Sequence, residues 1–327
     1  MRGTDKNPET VAAEVYPLIM TPSFRSGEST PWGGSALKEK YGKNTPDEIT
    51  GESLEISALP GCESLVSNGV YRGKSLHEVF ALWGGGLTGK QQEEFPLLLK
   101  LLDAQQCLSV QVHPGDSYAM NHEGKTGKSE AWYILDAEPG ARLVYGIDTQ
   151  GEELRSIVES GQLEKHLHWV EVHPGDVFYI PSGPIHALGP GIQCYEIQQS
   201  SDVTYRFWDW NRVGKDGSPR KLHLKQALAV SNPDSLPETA EKKETKYAGG
   251  TATLLVDDPH FRLYTIDLDG TFLLPSGEML FMTPTKACNI CWGENSQELA
   301  PFQSVLIPAQ MGSVEVSGSG RVLLSCA

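Results

Sequence analysis

Residues 175–186 read Gly-Asp-Val-Phe-Tyr-Ile-Pro-Ser-Gly-Pro-Ile-His. Val177–Ile180 is a short apolar run of strand character, and Pro181-Ser-Gly183 is a tight turn that aims the side chain of His186. The same alternation of short run and turn extends in both directions. Downstream, Ile192–Gln198 and Val203–Trp208 read as strands, and upstream so do His168–Val172, Arg142–Ile147, Ala131–Leu135, Leu108–His113 and Leu97–Leu102. Glu138-Pro139-Gly140 is a hairpin signal between two of them. Many short strands at close spacing, joined by Gly and Pro turns, predict an all-β fold: an antiparallel barrel or jelly roll.

Further out the pattern loosens. Ser75–Trp83 has a helical period, with Ser75 as N-cap, Glu78 in the capping-box position and Gly84-Gly85-Gly86 as the stop. Glu52–Ser57 alternates as a strand, whereas Pro17–Gly42, with its Trp32-Gly33-Gly34 turn, reads as an irregular wrap behind a polar leader, Met1–Val15. Leu222–Val230 reads as a helix and Ser231–Thr245 as a charged linker, after which the chain is strand-rich again. We therefore expect two jelly-roll domains, 1–240 with a helical insert around 75–95, and 241–327.

The net charge of −15 argues against a nucleic-acid or anionic-membrane binder, but leaves room for a locally basic pocket that takes a small anion. The N-terminal run Val11–Met20 is interrupted by Glu14 and Pro17, unlike a signal peptide, and no stretch is long enough to span a bilayer, so a cytoplasmic protein is expected. The six cysteines follow no disulfide-scaffold spacing, and Cys288-Asn-Ile-Cys291 lacks the second pair that a zinc ribbon needs.

Three segments carry candidate chemistry: Gln111-Val-His113-Pro114, Lys128-Ser-Glu130, and the stretch ending in His186. Residues two apart in a strand share a face, so Gln111 and His113 point the same way. Together the segments supply two imidazoles, a carboxylate and an amide, a nitrogen/oxygen set that suits zinc with a position left for substrate. Val-Gln-Val-His-Pro-Gly-Asp at 110–116 recurs as Val-Glu-Val-His-Pro-Gly-Asp at 170–176, so His113 and His173 compete for one role.

The spacing of Gly175, Pro181, Gly183 and His186 resembles the second motif of the cupin superfamily, with Pro190 where its terminal Asn is usual and Gln-x-His in place of the His-x-His of the first motif. Those departures, with Lys128-x-Glu130, Tyr195-Glu-Ile-Gln198 and Ser201-Asp-Val-Thr-Tyr-Arg206, resemble the short bacterial form of type I mannose-6-phosphate isomerase. Trp32-Gly-Gly, Gly51–Ser57 and Phe95–Lys100 extend the likeness upstream, with Leu54 where the family has Trp. The resemblance implies one Zn²⁺ held by Gln111, His113, Glu130 and His186, with His173 left as a turn residue. It implies active-site cations at Lys128 and Arg206, and acidic residues for ring opening or proton transfer at Asp202 and Glu196. The substrate would be a sugar phosphate, converted between mannose 6-phosphate and fructose 6-phosphate through a cis-enediol, by a monomer or weak homo-oligomer. Lys128 and Arg206 are first choices for the phosphate, Arg212 comes after them, and Lys100 is read as an outward strand residue. The C-terminal Pro308–Val314 segment echoes the second motif without a histidine and is read as metal-free. The competing readings are an Fe(II) oxygenase, which Gln111 as a fourth donor and the two cations oppose, and a non-catalytic sugar-binding module, which the charges of Glu196–Arg206 oppose.

Overall fold

A computed structural model describes residues 15–149, 151–214, 217–233 and 242–327. The described strands form three antiparallel sheets of ten, six and five strands. The six-stranded sheet runs in the order Val177–Ile180, Glu130–Ala137, Ile192–Gln199, Leu97–Ala104, Thr50–Ile56, Ser23–Ser26. The five-stranded sheet runs Tyr205–Trp208, Val110–Val112, His186–Ala187, Arg142–Ile147, Leu167–Glu171. Leu102, Trp132, Ile134 and Ile180 of the first sheet share one core with Leu143 and Tyr145 of the second, so the two sheets close face to face as a jelly roll.

Leu-Leu-Leu-Lys-Leu-Leu-Asp-Ala at 97–104 is buried along its whole length. An unbroken apolar run is what a central strand covered on both faces needs. Leu97, Leu99 and Leu101 face a core shared with Phe281, Leu306 and Leu323 of the C-terminal half, and Leu98, Lys100 and Leu102 face a cavity inside the jelly roll. Lys100 is therefore inward, contrary to the expectation from sequence; the apolar residues on either side of it hid which face was which. The neighbouring strands obey the same alternation. Ala131, Tyr133, Tyr195 and Ile197 pack outward, so Glu130, Trp132 and Glu196 point in.

The capping box at Ser75 and Glu78 is present, and Leu76–Trp83 buries Leu76, Val79 and Phe80 on one stripe. The Gly84-Gly85-Gly86 stop gives way at once to a four-residue helix, Gly85–Thr88. The expected hairpin at Glu138-Pro139-Gly140 is not one. Its flanking strands, Glu130–Ala137 and Arg142–Ile147, belong to different sheets, and the turn carries the chain between them. The Pro17–Gly42 segment is more regular than expected, because Leu18–Thr21 pairs with Val305–Ile307 and with Leu65–Val66 and so extends the ten-stranded sheet of the C-terminal half. The remainder of that sheet is built from residues 243–326. The expected boundary at 240/241 and most of the polar leader lie outside the described residues. All six cysteines are free.

Candidate active site and metal centre

His186 lies in the five-stranded sheet opposite Gln111, His113 directly follows the neighbouring strand Val110–Val112, and Glu130 comes from the facing sheet. All three side chains are fully enclosed. His113 Nε2 lies 3.2 Å from His186 Nε2 and 3.5 Å from a Glu130 oxygen, and His186 Nε2 lies 3.4 Å from the other Glu130 oxygen. A tetrahedron with metal–donor bonds of about 2.0–2.1 Å has edges of about 3.3–3.4 Å, so the three donors already stand at coordination spacing. The Gln111 amide nitrogen is 3.4 Å from His186 Nε2, while its oxygen lies 3.2 Å from Ser109 Oγ. Turning the amide over would present the oxygen to the same centre and keep a bond to Ser109, the two ends of an amide being interchangeable by network logic.

The outer contacts fix the donors. His113 Nδ1 donates to the Val203 carbonyl and His186 Nδ1 to the Pro184 carbonyl, each at 3.0 Å, which leaves both Nε2 lone pairs pointing inward. Burial, aided by the Lys128 charge, lowers the His113 imidazole to about 3; burial also lowers His186. Both rings are thus the neutral form that a metal requires. Burial pushes the Glu130 carboxyl up, but Lys128 and the two imidazoles together hold it well below the usual range. Both Glu130 oxygens are buried without a hydrogen bond, as in a carboxylate built for a ligand, although the Lys128 ammonium sits 2.6 Å from one as an ion pair. His113, Glu130 and His186 could hold a metal ion.

Beside this cluster lies a cavity of about 260 Å³, reached through Gln111 and Lys128. Glu196 sits at its wall, 3.2 Å from Lys100 Nζ and 3.9 Å from Lys128 Nζ, and accepts the Trp132 indole N–H at 3.2 Å. The cross-strand register sets this arrangement, since Glu196 stands opposite Lys100 on one side and Trp132 on the other. Burial raises the Glu196 carboxyl despite the two ammonium groups, with the Glu130 charge adding to the rise. Glu52, 3.4 Å from Lys100 and 3.5 Å from Arg25, is pushed up by burial but held below the usual range by those two cations.

The remaining expected residues fall in different places. Arg206 lines the cavity and stands in register with Gln111. Asp202 also lines it, but at the mouth, where its half-exposed carboxylate pairs with Lys125 at 2.7 Å. Burial opposes ionisation of Asp202 and Lys125 overrides it, so the carboxyl is held below its ordinary range. Arg212 is turned aside onto Asp209 and the Cys107 carbonyl. His173 is exposed and paired with Glu171 and Asp176, outside the cluster. Sequence reasoning missed Glu52, Trp132 and Arg220. The first two were legible from strand alternation once Lys100 was set inward; Arg220 sits on a loop with no periodic signal.

Comparison with known proteins follows the same lines. The family model "Phosphomannose isomerase type I, catalytic domain" matches residues 24–139. A mannose-6-phosphate isomerase of Streptococcus mutans is 42% identical over 73% of this chain and 76% of its own. The mannose-6-phosphate isomerase ManA of Bacillus subtilis is 36% identical over 94% of this chain and 98% of its own. The crystal structure of a mannose 6-phosphate isomerase from B. subtilis superimposes with a TM-score of 0.88 at 33% identity, over 94% of this chain and 99% of that one. Shared along nearly the whole length of both chains, this likeness places the chain in the type I phosphomannose isomerase family.

Proposed function

We propose that the chain is a zinc-dependent aldose–ketose isomerase that interconverts mannose 6-phosphate and fructose 6-phosphate, as the names of its relatives state for them. The observation that carries the reading is the enclosed His113–Glu130–His186 cluster at tetrahedral spacing, separated by Gln111 and Lys128 from a cavity whose five cations outnumber three carboxylates on a chain of net charge −15. The cations are Arg25, Lys100, Lys128, Arg206 and Arg220; the carboxylates are Glu52, Glu196 and Asp202. A basic pocket on an acidic protein suits an anionic small molecule.

Zinc, held by Gln111, His113, Glu130 and His186, would act as a Lewis acid toward the sugar oxygen that gains charge. The chain's own residues supply the rest. Proton transfer between C1 and C2 through a cis-enediol needs a carrier within hydrogen-bond reach of both carbons. Lys128 and Glu196 face each other across the cavity wall and share that task in our reading, with Lys100 holding Glu196 in place. Trp132 fixes one Glu196 oxygen and shields the cluster from water. Asp202, at the mouth, is assigned to ring opening, where a carboxylate that stays ionised can accept a hydroxyl proton. Every group comes from one chain, so a monomer suffices.

The test is a coupled assay of mannose 6-phosphate conversion on chelator-stripped protein. Activity should vanish on stripping and return with zinc, and His186→Ala should abolish both zinc retention and turnover. Full turnover in the stripped protein would refute the zinc-dependent reading.

A further inference from the structure

Resting on the isomerase reading above, we propose that Arg220, paired with Arg206, grips the phosphate group of the substrate and sets the preference for a phosphorylated over a free hexose. The cavity's other cations are already matched. Arg25 faces Glu52, Lys100 faces Glu52 and Glu196, and Lys128 faces Glu130. Arg206 is not. Among the described residues its guanidinium has no carboxylate partner, and its Nε is buried without a hydrogen bond. Such an unmade bond costs free energy unless a ligand completes it.

The second guanidinium makes the imbalance larger. Arg220 also lines the cavity, and its charge, after burial, pushes Arg206 below its ordinary value. The charges of Asp209 and Glu52 offset this only in part. One Asp209 oxygen is shared by Arg220 at 3.5 Å and Arg212 at 3.2 Å. Arg212 is further tied to the Cys107 carbonyl and does not reach the cavity, which removes it from the candidates. Two like charges therefore line one cavity, and the Asp209 carboxylate that faces Arg220 is divided with Arg212. A phosphate dianion is the ligand that matches this charge, and planar guanidinium forks bind its oxygens in pairs. The hydroxyls of Ser109 and Thr204 line the same cavity and can complete the contact.

The backbone ties together the two segments that carry these arginines. The segment after Arg212 doubles back through a Val213–Pro219 bridge and a bond from Gly214 N–H to the Ser218 carbonyl. It is then clamped to the Arg206 strand through both backbone polar groups of Arg206. The His223 N–H donates to the Arg206 carbonyl at 2.8 Å, and the Arg206 N–H donates to His223 Nδ1 at 3.3 Å. Arg206 itself stands opposite Gln111, so the anion end of the pocket begins one strand from the metal cluster.

The experiment uses the full chain with Arg220→Ala and Arg220→Lys. Two readouts are taken: steady-state constants for mannose 6-phosphate, and calorimetric titration with inorganic phosphate. The alanine variant should raise KM by about 10–100-fold while kcat falls less than about threefold, the loss expected for a charge-assisted contact made equally in ground and transition states. Phosphate affinity should fall by a similar factor. The lysine variant keeps the charge without the fork and should lie between, and it supplies the reading if the alanine variant melts early. Unchanged KM and unchanged phosphate affinity in either well-folded variant would overturn the assignment. A wild-type protein that binds phosphate through Arg220 yet fails to isomerise the sugar would overturn the isomerase reading and leave the phosphate grip standing.

Discussion

His113 and His173 sit in nearly identical heptapeptides and meet opposite fates, one 1% exposed and the other with a side chain 68% exposed. The difference lies in the sheet. The Val110–Val112 strand is flanked on both sides, while Leu167–Glu171 is the last strand of its sheet. Local sequence could name the donor types and not which copy would be enclosed; the family likeness made that choice. Lys128 stands at the same scale. Its ammonium lies 2.6 Å from Glu130 and 3.2 Å from His113 Nε2, close enough to repel a cation bound between them. Lys128→Met keeps most of the volume and removes that repulsion. We expect the variant to hold zinc at least as tightly as the wild type, measured by competition with a chromophoric chelator. Its kcat should fall by roughly 10²–10⁴, the usual worth of a positioned proton carrier. A kcat within tenfold of wild type would move the proton transfer elsewhere, with Glu196 next in line. Lys100 was the harder residue to place from sequence, because an inward charge in an otherwise apolar run gives no sign of which side is hollow.

Elements with a complete local code were legible in full. The helix Leu76–Trp83 needs only its own residues. Ser75 Oγ accepts from the Glu78 N–H at 3.2 Å, and Glu78 accepts from the Ser75 N–H at 2.8 Å. Removing the hydroxyl leaves a helix N–H without its partner, so Ser75→Ala should cost about 1 kcal/mol in urea unfolding. No measurable shift would mean that water replaces the cap fully. Strand positions between Leu97 and Trp208 were legible as well, to within a residue or two, because period-2 runs and Gly/Pro turns are local signals, whereas Leu18–Thr21 and Ser23–Ser26 fell in the stretch read as irregular. Strand partners were not. Glu138-Pro139-Gly140 announces a turn, and a turn between two sheets uses the same residues as a turn within one. The short helices Asp116–Glu123, Leu154–Glu159 and Leu163–His166 went unread for a related reason: the first is as long as Leu76–Trp83 but buries only Ala119 and so shows no apolar stripe, and the other two are too short to show a period.

On the scale of the molecule, the N-terminal and C-terminal halves are stitched by more than apolar contact. Leu18–Thr21 adds to the C-terminal sheet, and beneath it a charged network crosses between the halves. Lys43 Nζ meets Glu55 at 2.7 Å and the Phe302 carbonyl at 2.7 Å. Ser304 donates to the same Glu55 oxygen at 2.8 Å, Ser53 donates to the other at 2.6 Å, and Ser304 bonds Thr283 at 2.9 Å. Both charged side chains are almost wholly buried. Glu55 occupies the same strand as Glu52, a residue that lines the candidate site cavity, so the network also anchors the wall of that cavity to the second half. A buried pair of this kind adds little net stability compared with apolar residues, but removing one partner strands the other charge. Lys43→Ala should therefore destabilise the protein by roughly 3–5 kcal/mol, read from the urea midpoint, whereas Lys43→Met with Glu55→Gln should recover part of the loss by removing both charges together. If the network couples the halves, the single variant should also separate one unfolding transition into two, followed by tryptophan fluorescence and far-ultraviolet circular dichroism. A Lys43→Ala protein that unfolds in one step with less than about 1 kcal/mol lost would show that the apolar core shared by Leu97, Phe281 and Leu323 holds the halves together without it.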